Sequence, residues 1–170
     1  MAKTTSELKN GNLMLKISGA IDEHFDFGQF KFEEIRALYI NFSQAEAINS
    51  RGIVIWIRWF HDAISRNKKL SIFFMECPRV LVEQFNLIGS FVPKEAVIKS
   101  FELPFTCVAC ETQSSTMLIE GKDYALSEQS GLYDVYPPSM VCQKCGKPME
   151  LDVFPKKYFN FLNRGRVPLA

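Results

Sequence analysis

The chain has 170 residues, 47% of them apolar with 15 Phe, 23% charged, and a formal net charge of +1. That apolar share is enough for a packed core and excludes a disordered chain, while the balance of seven Lys or Arg against seven Asp or Glu over residues 107–170 argues against the clustered basic charge of a nucleic-acid footprint. The first ten residues contain no apolar run, so the sequence predicts no secretory signal, no membrane span and a cytoplasmic location.

In chain order, residues 6–9 and 12–18 read as a hairpin, because Asn10-Gly11 supplies the two positive-φ positions of a tight turn and Leu13, Leu15 and Ile17 alternate after it. Phe25, Phe27, Phe30 and Phe32 follow neither period and predict one irregular turn of helix at most. Residues 37–42, a short continuous apolar run, predict a strand buried on both faces of a sheet. From 52 to 67, Ile53, Trp56, Ile57, Phe60, Ala63 and Ile64 recur at helical spacing, and Lys68 and Lys69 suit the C-terminal end of that helix. Residues 70–75 read as another strand. Pro78 opens a second helix through Val80, Leu81, Val82, Phe85 and Ile88 that Gly89 can end, and 96–101 read as the last strand of this part. Cys77, just before Pro78, reads as a buried small hydrophobe.

Every other cysteine lies past residue 106, which divides the chain into 1–104 and a cysteine-built 105–170. Cys107, Cys110, Cys142 and Cys145 form two Cys-x2-Cys pairs 31 residues apart, the spacing of a tetrahedral four-thiolate site. Such a set suits one Zn2+ per chain and, with all four positions taken by sulfur, a structural role; iron is the competitor, and two disulfides are the metal-free alternative. Gly146 frees the second knuckle to turn its amides toward the sulfurs, whereas Glu111 follows the first and predicts an asymmetric pair. Residues 121–138, with Ser, Gln, Gly and two Pro, read as a mobile ribbon loop. Residues 145–152 read as a strand leaving the metal, and Pro155 starts a short helix whose Tyr158, Phe159, Phe161 and Leu162 dock on the rest.

Gly19-Ala-Ile-Asp22, Leu38-Tyr-Ile-Asn-Phe-Ser43 and Ala47-Ile-Asn-Ser-Arg-Gly-Ile53 together resemble the STAS family, the anti-sigma factor antagonists and sulfate-transporter regulatory domains. The resemblance covers about residues 3 to 103. It implies an α/β fold, a STAS-like mixed sheet flanked by helices, here followed by a small zinc ribbon. It also implies a protein partner, an anti-sigma-factor-like kinase, which in that family phosphorylates the serine that Ser50 matches. Asn49 stands where the family usually has Asp, and Arg51 replaces its second small hydroxyl residue. The partner surface so implied comprises Asp22, Asn49, Ser50 and Arg51. Ile55 and Trp59, four apart on the same helix and off the centre of its apolar face, border that surface. Asn49 or Ser50 also reads as a plain helix cap.

No catalytic set is written in the chain. His24 and His61 stand in no motif with a Ser or Cys, no Gly-rich phosphate loop is present, and Asp22, Glu23 and Asp26 read as a solvated turn. These absences predict a protein with no chemistry of its own, and the resemblance to the STAS family implies a regulatory module that binds protein. A nucleic-acid-associated ribbon protein is the alternative, and an iron electron carrier a third reading.

Overall fold

The computed structural model describes residues 3–166. Strands β1 (Lys3–Lys9) and β2 (Asn12–Ile21) form the expected hairpin, with Asn10 at φ 51° and Gly11 at φ 76°. Strands β3 (Ala37–Ile48), β4 (Ser71–Met75) and β5 (Ala96–Ile98) join β2 in parallel, giving one mixed sheet of order β1-β2-β3-β4-β5. Helices α1 (Ser50–Arg66) and α2 (Arg79–Leu87) make the crossovers. Both lie on one face, where Trp56 and Phe60 of α1 and Phe85 of α2 meet Phe74. Trp56 is fully buried and its Nε1 donates to the Phe91 carbonyl at 2.8 Å, so the largest apolar side chain of α1 is also hydrogen-bonded into the core.

The Phe-rich stretch contributes one 3-10 turn, Phe32–Glu34, as its missing period suggested. Its Phe25, Phe27 and Phe32 are buried, and the last two close on Trp59. β3 runs past the expected residue 42 to Ile48, and two register shifts against β2 carry the pairing on into its polar end. The expected burial of residues 37–42 on both faces is corrected. Leu38, Ile40 and Phe42 are sealed under the helices, but Tyr39 and Asn41 point to the other face and are only half-buried.

The expected strand over 96–101 is two strands. It breaks at Lys99, and β6 (Ser100–Thr106) belongs to a second, antiparallel sheet of order β10-β6-β7, with β7 (Gln113–Ile119) and β10 (Glu150–Leu151). At the break the Lys99 amide donates to Phe74 O at 2.7 Å and the Glu102 amide to Cys77 O at 2.8 Å, so the crossing is held by backbone hydrogen bonds on both sides. Cys77 is buried there as expected, and desolvation pushes its thiol up.

Residues 121–138 are not an open loop but carry a hairpin of β8 (Tyr124–Leu126) and β9 (Tyr133–Val135). Tyr124 anchors it, fully buried with its hydroxyl donating to Ile98 O at 2.6 Å. The aromatic end of the chain forms two short helices, α3 (Pro155–Tyr158) and α4 (Asn160–Asn163), docked on α2. Asn86 on α2 donates to Tyr158 O and accepts from the Phe161 amide, while the Phe161 ring contacts Phe85 and Phe101. Gly89 does not terminate α2 in a left-handed turn. The helix stops at Leu87, and the Arg164 guanidinium donates to the carbonyls of Phe85 and Asn86 instead.

Gly52 sets how closely α1 approaches the sheet. A Cβ there would stand 2.1 Å from Ile21 O, the carbonyl that accepts from the Asn49 amide at 3.1 Å. Alanine is the better helix former, but here its methyl group would displace backbone rather than a flexible side chain. Gly52→Ala is expected to cost about 2 kcal/mol or more in urea unfolding, an overpacking penalty that outweighs the propensity gain.

Candidate metal centre and the start of helix α1

The first knuckle follows directly from β6. The Cys107 amide donates to Thr112 O at 2.9 Å and the Glu111 amide to Cys107 O at 2.7 Å. In the second knuckle the Cys142 amide donates to Lys147 O and the Gly146 amide to Cys142 O, both at 2.8 Å. The two turns thus share one hydrogen-bond pattern, and the expected asymmetry is confined to sequence: Glu111, at φ 56°, adopts the left-handed conformation that Gly146 takes at φ 70°.

These turns bring all four Sγ atoms within 4.8 Å of one another. Cys107–Cys145 and Cys110–Cys145 stand at 3.5 Å and Cys110–Cys142 at 3.6 Å. A tetrahedron with metal–sulfur bonds of about 2.3 Å has edges of about 3.8 Å, whereas a disulfide needs about 2.05 Å. The spacing therefore fits a shared metal ion, and none of the cysteines is disulfide-bonded. Cys107 and Cys142 are buried, Cys110 is half-buried and Cys145 exposed, so the centre opens to solvent on one side.

The thiols do not ionise alike. Hydrogen bonds from the Thr112 hydroxyl and amide bring Cys110 down to about 6, and the Cys145 and Lys144 amides lower Cys142. At Cys145 the Lys147 amide also lowers the value, but the Cys107 and Cys110 sulfurs outweigh it and push it up to about 12. Crowded thiolates resist the last ionisation, and a cation among them removes that resistance.

At the other site, Asn49 is the cap of α1: its Oδ1 accepts from the Gly52 amide at 2.8 Å. Its Nδ2 donates to Glu23 Oε2 at 3.1 Å, and Arg51 Nη1 reaches Glu23 Oε1 at 3.3 Å. A hydrogen bond from its own amide and one from Asn49, with Arg51 and His24 nearby, hold the Glu23 carboxyl below its usual value. Ser50 is the first residue of α1 and is exposed, as is Arg51. Asp22 turns its Oδ1 back to the His24 amide at 2.9 Å, on the rim of a shallow concavity that runs along the ends of β2 and β3.

Structure thus brings Asp22, Asn49, Ser50 and Arg51 to one end of the sheet. Ile55 is half-buried against the core, and Trp59 is engaged by Phe27, Phe32 and Phe60 while its Nε1 donates to Gly28 O at 3.1 Å. Glu23, which the sequence reads only as part of a solvated turn, bonds to both Asn49 and Arg51. Its partners lie 26 and 28 residues away, and nothing local announces them. No protein-family model matches this chain, and no curated protein is similar to it.

A left-handed conformation costs a side-chain-bearing residue roughly 1 kcal/mol. Glu111→Gly is therefore expected to stabilise the metal-loaded protein by about 1 kcal/mol, and Gly146→Ala to destabilise it by about the same amount, both read as shifts in thermal midpoint.

Proposed function

We propose that the protein is a non-enzymatic regulatory module that binds another protein through the end of the sheet around Ser50, with a structural zinc ion held by Cys107, Cys110, Cys142 and Cys145. The observation that carries the reading is the division of labour at the start of α1. Asn49 caps the helix, and the Ser50 side chain, exposed beside it, makes no side-chain hydrogen bond among the described residues. A hydroxyl with no structural duty at a helix N-terminus is open to modification. This position, directly after β3 and its Asn49, is also where the resemblance to anti-sigma factor antagonists puts the phosphorylated serine.

A phosphoryl group there carries about −1.5 to −2 charges. The α1 dipole and Arg51 favour it, while Glu23 opposes it, since Arg51 already donates to that carboxylate. Phosphorylation on this reading pulls Arg51 from Glu23 and changes both the charge and the shape presented to a partner. The zinc site takes no part in chemistry, because four sulfur ligands leave no open position; its role is to fix the two knuckles.

Ser50→Asp is expected to abolish capture of the protein partner by the full chain, and Ser50→Ala to preserve it with no measurable loss of stability. Asn49→Ala, by contrast, should cost about 1 kcal/mol in urea unfolding. Equal binding by both Ser50 variants contradicts the switch, and a loss of about 1 kcal/mol in Ser50→Ala would make Ser50 a cap instead.

A further inference from the structure

Parallel strands are normally covered on both faces, and here four parallel strands are covered on one. Pairing register places Glu7, Met14, Tyr39, Phe73 and Val97 side by side in one row across all five strands, on the face away from α1 and α2. Met14 is 40% exposed, Tyr39, Phe73 and Val97 are half-buried, and the Tyr39 and Phe73 rings stack at 4.8 Å. The next row holds Lys16 on β2 and Asn41 on β3, whose Nδ2 donates to the exposed carboxylate of Glu76 at the end of β4. Lys99, beyond β5, lies over the Phe73 ring at 5.3 Å while bonded to Glu120 at 2.5 Å.

We infer that this face is the interface of a symmetric homodimer, formed by stacking two sheets about a two-fold axis that runs along β3. The charges of the face are arranged to match themselves under that rotation. Strand β2 falls on β4 of the second copy, so Lys16 meets the second copy's Glu76, and Met14 meets its Phe73 in a sulfur–aromatic contact. Strand β1 falls on β5, which brings Glu7 beside Val97 and Lys99 of the second copy. Tyr39, on the central strand, packs on its own symmetry mate. Each charged pairing occurs twice, while the opposite choice of a self-stacked face with one sign of charge would repel. Sheets packed in this way sit about 10 Å apart, which the half-buried Tyr39 and Phe73 rings can fill.

The test is light scattering after size exclusion on the full metal-loaded chain, with a charge swap. Wild type is expected at twice the 19.5 kDa chain mass. Lys16→Glu and Glu76→Lys alone each put like charges together at two places and should weaken self-association about tenfold or more, with circular dichroism unchanged. Mixed in equal amounts, the two variants should form a heterodimer as tight as wild type, because each mismatch is then corrected. A wild type that stays at 19.5 kDa at 100 µM, which would leave the face to a different protein, overturns the inference. So does a dimer indifferent to both charge reversals, as pairing through the β1 edge would give, or a mixture that fails to recover.

Discussion

Four sulfurs 3.5–3.6 Å apart along three edges are crowded as a shared cation would require, and the C-terminal part of the structure is built around them. Cys107 directly follows β6, whose Phe101, Leu103 and Phe105 are buried. The second knuckle reverses the chain so that Glu150 and Leu151 pair with Thr106 and Phe105 on that same strand. From there the chain reaches Pro155 and lays α3 and α4 on α2. The second knuckle, which 31 residues separate from the first, thus returns the chain to β6, and the aromatic end follows from there.

A different constraint places Ser50. Trp56, ringed by Phe27, Phe42, Phe60, Phe74 and Phe91, fixes the middle of α1 on the sheet. The missing side chain of Gly52 lets its first turn reach the end of β2, where the Ile21 carbonyl takes the Asn49 amide. Ser50 is left at a fixed point on the surface, beside the Glu23–Arg51 pair and over the ends of the parallel strands. That pair is solvent-exposed on the arginine side, so it contributes little to stability. Among the described residues no helix is long and apolar enough to cross a membrane.

Elements with a local cause were legible in the chain. Asn10-Gly11 announced the first hairpin, the helical period from Ile53 to Ile64 announced α1, and the cysteine spacing announced the four-sulfur cluster. What escaped depended on contacts between distant residues. The break at Lys99 separates two apolar strands with no Gly or Pro to mark it, and only the carbonyls of Phe74 and Cys77 determine where the chain changes sheet. The β8–β9 hairpin has a loop-like composition and is anchored by Tyr124, one aromatic reaching Ile98 across 26 residues. Glu111 adopts a conformation its residue type disfavours because the knuckle's hydrogen bonds demand it. The half-open face of β3 was hidden for another reason: an apolar run reads the same whether helices cover one side or two, and Tyr39 looked as buried as Ile40.

Hydrogen exchange, followed by mass spectrometry on protein that carries one zinc per chain before and after chelation, tests the metal's role most directly. The account predicts that the amides of Cys107, Glu111, Cys142 and Gly146, each bonded within a knuckle, lose protection when the metal leaves, while β2, β3 and β4 keep theirs. Knuckle amides that stay protected after complete removal of the metal would contradict it.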